Sequence, residues 1–496
     1  MRIPRLALLA LAAPCALVTW SIGCGGTGST PASSGTGHGG TGTSAATGTG
    51  STSKSAGTGE TGGAGGTILQ STVGSGGSLP ACMGLQCQIH SCQNGGSTTI
   101  SGTIYDPAGK NPLYGVVAYV PNATPQPFTP GASCYSCSDL YTGDPIAAAV
   151  TDPAGKFTIP KAPDGQSIPL VIQVGKWRRQ FTLPSVAMCQ DNAVPDGMLT
   201  LPKNGGEGDL PNMAISTGSA DSLECLLTRV GVDPAEYGPG PGGIGHIHIF
   251  KGNNGAPNTS PSAPDPSQAL WDSDADILQY DIVLLSCEGK ETQNMNQQVL
   301  FDYAKNGGRV FASHFHYAWF DTGPFGMGNL ATWKTGSQDI GDIRATVVTT
   351  TWGGMPFQRG QDFAAWLGNV GALTNGELPI QAARHNADVS ASNTPSQPWI
   401  LADSQSPAPG SAQDFTFDTP LGAPPAMQCG RVAFSDMHVG AASNDYTTGF
   451  GKITPTGCGM MDLSPQEKAL EFILFDLSSC VTPNNTVMQP PPPPPT

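Results

Sequence analysis

Between Tyr280 and Phe320 the pattern of apolar positions changes period twice. Asp281-Ile282-Val283-Leu284-Leu285 is a continuous apolar run that ends at Ser286-Cys287-Glu288-Gly289. Met295, Val299, Leu300, Tyr303 and Ala304 then recur at helical spacing. Asn306-Gly307-Gly308 stops that helix, because glycine accepts the left-handed cap conformation without steric cost. Arg309 to His316 is a second run, apolar on both faces up to its histidines. Two strands without alternation, joined through a helix, predict a βαβ unit of a buried parallel sheet. Ligands of such sheets sit beyond the carboxyl ends of the strands, which here carry Cys287, Glu288, His314 and His316.

The same periodicities organise the rest of the chain. From 210 to 480, strands are expected at Asn212–Ser216, Gly245–Phe250, Ile343–Thr350 and Gly430–Ser435, the last running into Asp436-Met437-His438. Helices are expected through Leu223, Leu226 and Leu227, and over Phe357–Leu373 around Phe363, Trp366 and Leu367. A last helix should start at Ser464, where Pro465 and Glu467 complete a capping box. Strands alternating with helices predict a doubly wound, flavodoxin-like α/β domain. Residues 97–202 differ. Strands at Thr99–Tyr105, Leu113–Val120 and Ile168–Val174, with a turn-then-strand pattern over Val150–Ile159, are separated by Gly/Pro/Asp turns with no helical period, which predicts a prealbumin/Ig-like β-sandwich. Trp177-Arg178-Arg179 reads either as an exposed aromatic–cation patch or as edge-strand packing.

Composition limits what surrounds these domains. The chain has 496 residues, 66 of them Gly and 45 Pro, so part of it is not globular. A net charge of −15 excludes a nucleic-acid partner, which requires a basic face. Residues 1–24 form a signal segment, with Arg2 and Arg5 before the apolar stretch Leu6–Val18. Residues 25–79 are almost entirely Gly, Ser, Thr and Ala and cannot bury enough apolar area to offset ordering entropy, so they are expected to be a disordered linker. Residues 80–96 are a Cys-rich connector, and 481–496 a Pro-rich tail.

Of thirteen cysteines, the eleven beyond Cys15 and Cys24 read as disulfides in an exported chain. The alternative is a zinc knuckle at Cys134-Tyr135-Ser136-Cys137, for which no second CxxC pair exists. With Cys15 and Cys24 set aside, an odd count leaves a free thiol, expected at Cys225 or Cys287. His314 and His316 are two apart, so on an extended strand both would point to one face. With His438 they would make a three-imidazole site for a divalent metal. The alternative is strand-end histidines satisfied by hydrogen bonds. Cys287 beside Glu288 offers a nucleophile and a base, but neighbours on a strand point oppositely, which favours a packed or free thiol. Asp221 and Glu224 read as carboxylates at a helix start.

Four resemblances add to this reading. Ser21-Ile22-Gly23-Cys24-Gly25 resembles a bacterial lipobox, with Ser21 where leucine is usual. It implies lipidation at Cys24, a membrane partner through that anchor, and the outer membrane as location. Residues 97–202 resemble the carboxypeptidase regulatory-like domain, which implies a structural or binding module. Asp281–Leu285, Gly307–His314 and Gly430–His438 resemble the class I glutamine amidotransferase-like superfamily, nearest to ThuA-like domains, in which histidine replaces the nucleophilic cysteine. The whole arrangement also resembles surface lipoproteins of predatory soil bacteria.

By the amidotransferase-like resemblance His314 takes the nucleophile's position and His438 the late-strand histidine's; Glu288 and Asp436, at neighbouring strand ends, are the carboxylates expected beside them as catalytic candidates. The Gly-x-Cys-x-Gly elbow and the glutamate after His438 are missing, which rules out glutamine hydrolysis by a thiolate at residue 314. Two classes of function follow. One is a surface-anchored binding or structural lipoprotein, with extracellular carbohydrate or protein as partner. The other is an extracellular hydrolase or isomerase acting on sugars or peptides through His314, His316 and His438.

Overall fold

The computed structural model describes residues 82–252, 263–439, 454–455, 457–459, 461–483, 486 and 489–492. The expected signal segment, Cys24, the expected linker and the end of the Pro-rich tail lie outside the described residues. The chain is multidomain and mixed α/β, and Gly77–Thr496 forms one compact unit.

The first part of that unit is built from strands. These are β1 (Thr99–Tyr105), β2 (Val117–Pro121), β3 (Pro145–Val150), β4 (Lys156–Ile159), β5 (Gly165–Val174), β6 (Trp177–Val186), β7 (Asp191–Ala193) and β8 (Leu199–Thr200). One sheet has the order β4-β1-β7, with β8 also on β1, and the other β3-β2-β5-β6. Ile100 and Ile104 of the first sheet share a core with Ala118, Leu170 and Ile172 of the second. The β5–β6 hairpin turns at Gly175, whose φ of +54° favours glycine. A Cβ there would also meet the Ser478 carbonyl oxygen at 1.9 Å. Trp177, at the start of β6, is fully buried against Phe475, and Arg178 is buried over the Phe128 ring, so this triplet is not an exposed patch.

The second part is one ten-stranded sheet. Its strands are β9 (Met213–Ser216), β10 (Tyr237–Pro239), β11 (Ile247–Phe250), β12 (Ile282–Leu285), β13 (Arg309–Ser313), β15 (Asp339–Val347), β16 (Leu378–Arg384), β18 (Ser396–Ala402), β19 (Ala412–Thr419) and β20 (Gly430–Ser435). A separate ribbon joins β14 (Thr332–Trp333) to β17 (Ala387–Asp388). The order is β10-β11-β9-β12-β13-β20-β19-β18-β15-β16. From β10 to β20 all pairs are parallel, and from β20 to β16 all are antiparallel.

Successive residues of the parallel strands face opposite cores, which is why those strands carry no alternation. Ile282, Leu284 and Phe311 pack with Leu226 and Leu227 of the helix Leu223–Val230 and with the helix Pro465–Ser478. Val283, Leu285, Val310 and Ala312 pack with Leu300, Tyr303 and Ala304 of the helix Gln297–Lys305. The first core is continuous with that of β1–β8.

Two disulfides, Cys134–Cys429 and Cys137–Cys480, tie the part that holds β1–β8 to the part built on the large sheet, and a buried ion pair between Lys176 and Asp281 does the same. The CxxC cysteines therefore belong to two separate bridges rather than to a zinc knuckle. Cys82–Cys87, Cys92–Cys189 and Cys225–Cys458 complete the set, and Cys287 is the free thiol among the described residues.

Candidate functional site

Four neighbouring parallel strands end in serine or run directly into one: Ser216, Ser286, Ser313 and Ser435. Beyond this edge lie the turns that carry the candidate side chains. Strand β13 stops at Ser313, and the chain turns at once into a short 3-10 helix, His314–Trp319. His314 at that turn has φ +46°, a left-handed conformation that a histidine rarely adopts. Strand, strained residue, helix is the backbone form that pushes a side chain out over the end of a sheet.

The turn aims His314 at residues from two other strand ends. Its Nδ1 lies 3.2 Å from Cys287 Sγ, which follows β12. Its ring meets that of His438, beyond β20, edge-on with centroids 5.0 Å apart. One ligand atom from each of Cys287, His314 and His438 lies within 4.8 Å of the other two, and all three residues are buried. Ring protonation follows from the partners. His314 Nε2 is 3.0 Å from the Ser337 carbonyl, an acceptor only, so Nε2 carries the hydrogen. Nδ1 therefore accepts from the Cys287 thiol.

His438 is different. Neither of its ring nitrogens makes a hydrogen bond among the described residues, although the Ala382 backbone lies close enough to favour the protonated ring. Burial, with His314 and Arg384 nearby, holds it well below the usual histidine range.

The remaining groups fix this cluster in place. Ser313 Oγ donates to Asp221 Oδ2 at 2.7 Å and accepts from the Cys287 backbone N–H at 2.9 Å. Asp221 Oδ1 accepts from the N–H of Val439, in the turn that carries His438, at 2.8 Å. One carboxylate thus links three turns, and burial raises it to about 6.

The electrostatics decide what the pair Cys287–His314 can do. Burial pushes the thiol up to about 12, with the Asp221 charge adding to it. Burial and the Arg384 guanidinium push His314 down to about 3. The proton therefore stays on sulfur at neutral pH, whereas a nucleophilic cysteine needs the opposite shifts.

The other residues expected at the site are not part of this group. His316 was expected beside His314 on an extended strand, but the strand has already ended. Its Nδ1 is 3.1 Å from Thr292 Oγ1 and its Nε2 2.9 Å from the Ser286 carbonyl, so both nitrogens are occupied. Asp436 Oδ2 accepts from the Asn386 N–H at 2.7 Å, and burial raises this carboxyl to about 8. Glu288 is buried with its carboxylate towards Gly252, and its carbonyl accepts from Ser219 Oγ at 2.7 Å.

Sequence reasoning missed Cys287 as a member of the site, because it treated residue 287 as the end of a strand. β12 ends at Leu285, so alternation no longer governs where its side chain goes. An apolar recess lies elsewhere, lined by Leu113, Tyr114, Val174, Trp366 and Phe472, and its charged members Arg359 and Asp476 are paired with each other.

No family model and no curated protein matches the chain. Among solved structures, two interface mutants of a type II cohesin–X-dockerin complex from Acetivibrio cellulolyticus are similar over 28% and 27% of this chain and 74% and 85% of theirs. They share 18% identity, with TM-scores of 0.15 and 0.16. A 9R-lipoxygenase from Cyanothece PCC8801 is similar over 23% of this chain and 18% of its own, at 14% identity and a TM-score of 0.11. Similarities at these TM-scores carry no argument about fold or function.

Proposed function

We propose that this is an exported surface lipoprotein, anchored through Cys24 to the outer membrane, whose folded body has a binding or structural role. In this reading residues 97–202 are a carboxypeptidase regulatory-like β-sandwich and 210–480 a flavodoxin-like, ThuA-like domain that has lost catalysis. Five disulfides support export, since such bonds persist in oxidising compartments. The order β11-β9-β12-β13-β20 supports the domain assignment. With the three-residue β10 set aside, it is 2-1-3-4-5 in chain order, the flavodoxin-like pattern.

The observation that carries the loss of catalysis is the Cys287–His314 pair. The residue at the turn is an imidazole whose Nδ1 accepts from a thiol that keeps its proton, so this pair holds no activated nucleophile. A second reading, hydrolase or isomerase, is favoured by one feature: His314 sits on a strained strand-to-helix turn. Assay of the purified protein against a panel of amide, ester and glycoside substrates separates the two. The non-catalytic reading expects wild type to match a His314→Gln/His438→Gln double variant that retains its fold. Turnover present in wild type and lost in that variant would establish the second reading.

A further inference from the structure

We infer that Cys287, His314 and His438 form a binding site for a thiophilic metal ion of the zinc or copper(I) kind. Three independent features of the site point there.

The first is geometry. Around a tetrahedral zinc, sulfur and nitrogen ligand atoms are about 3.3–3.6 Å apart, as bond lengths near 2.3 and 2.0 Å require. Cys287 Sγ and His314 Nδ1 are already 3.2 Å apart, and the His438 ligand atom lies within 4.8 Å of both. A side-chain adjustment of about 1 Å closes the set to the spacing that those bond lengths require.

The second is the unpartnered ring of His438. A fully buried imidazole with no hydrogen bond at either nitrogen among the described residues is costly and uncommon, and it stands beside the other two ligand atoms. A metal ion would give one of these nitrogens its partner, with the Ala382 backbone also beside the ring.

The third is orientation. Metal-bound histidines nearly always donate their other N–H to a carbonyl or carboxylate, which fixes the tautomer. His314 does this: Nε2–H donates to the Ser337 carbonyl and the Nδ1 lone pair faces the cluster. By contrast, His316 has no free nitrogen. The network Asp221–Ser313–Cys287 holds the thiol-bearing turn from behind.

One thiolate with two imidazoles suits ions that accept both soft sulfur and nitrogen ligands, rather than calcium or magnesium. Three protein ligands satisfy a trigonal copper(I), or leave zinc one further position. On binding, the Cys287 S–H bond breaks, a sulfur–metal bond forms and one proton passes to solvent, with no change of oxidation state. The site does not depend on whether the domain turns over any substrate.

The test uses the full-length protein, purified without chelators and also stripped and reloaded with Zn2+, Cu+ or Co2+ alone. Elemental analysis should find one metal ion per chain, and cobalt loading should give a thiolate-to-cobalt charge-transfer band. Cys287→Ser and His438→Gln should each lower metal affinity about 100-fold and abolish that band, while His316→Gln should retain metal. The wild-type cobalt spectrum needs no variant to fold and decides the matter if the variants do not. Absence of stoichiometric binding by wild type to all three ions would overturn the site, as would binding that survives Cys287→Ser.

Discussion

His314 shows how one residue's backbone decides what a spacing means. The two-residue interval from His314 to His316 implies a shared face only while the strand continues, and β13 ends one residue earlier. Positive φ at a histidine leaves no trace in composition or period, so the turn was not legible. What was legible was the edge: Cys287, His314 and His438 all lie where the buried apolar runs stop. Asp221 was visible only as a helix-start carboxylate, because its partners are 92 and 218 residues away.

The same network yields a residue-scale prediction. Ser313→Ala removes a hydroxyl that donates to a buried carboxylate and accepts from a buried N–H. Leaving such groups unpaired costs about 1–3 kcal/mol. Chemical denaturation should show a loss of that size, and an unchanged midpoint would mean that water or relaxation replaces the hydroxyl.

Among the elements, those with a clean period were read well. The helix from Ser464 has the expected capping box, and β9, β12 and β20 fall within a residue of their expected bounds. The antiparallel meander was not anticipated beyond β15. Its strands β16, β18 and β19 contain Pro379, Ser396, Gln397, Pro398 and Gln413, and they hide among Gly/Pro/Asn-rich turns.

The helix Pro465–Ser478 also carries a titration that its sequence does not announce. Its Glu471 is buried beside Asp106 of the β1–β2 connection, and Asn111 Nδ2 donates to Glu471 Oε2 at 2.7 Å. Burial raises Asp106 to about 6, and burial together with the Asp106 charge raises Glu471 well above its ordinary range. Both folded values exceed the unfolded ones, so the folded chain holds protons that the unfolded chain releases. Their stabilising contribution is complete below about pH 4 and declines as pH rises through the folded values. Glu471→Gln copies the protonated acid. It should therefore melt a few degrees above wild type at pH 8, with the gap closing towards pH 4; a gap equal at both ends would contradict this. About 1 kcal/mol corresponds to roughly 2–4 °C in domains of 150–250 residues.

For the whole molecule, the body is a pair of sheet systems closed on each other by covalent and buried polar links. Cys134–Cys429 and Cys137–Cys480 span 295 and 343 residues, separations at which no pairing can be read from spacing. That cysteines would be oxidised was legible from their number in a chain whose first 24 residues read as an export signal. That the connection would run between the two sheet systems was not, because it depends on how they dock. No helix among the described residues is long and apolar enough to cross a membrane. Attachment in this account rests on Cys24, which lies outside them.

The central claim, an exported and lipid-tethered body with one buried thiol reserved at the strand edge, is tested most directly by non-reducing peptide mass spectrometry. The sample is full-length protein taken from the membrane fraction. The expected result is a lipid-modified mature N-terminus at Cys24, the five bridges described above, and Cys287 as an unmodified thiol. An unlipidated Cys24, reduced bridge cysteines, or Cys287 found in a disulfide would contradict it.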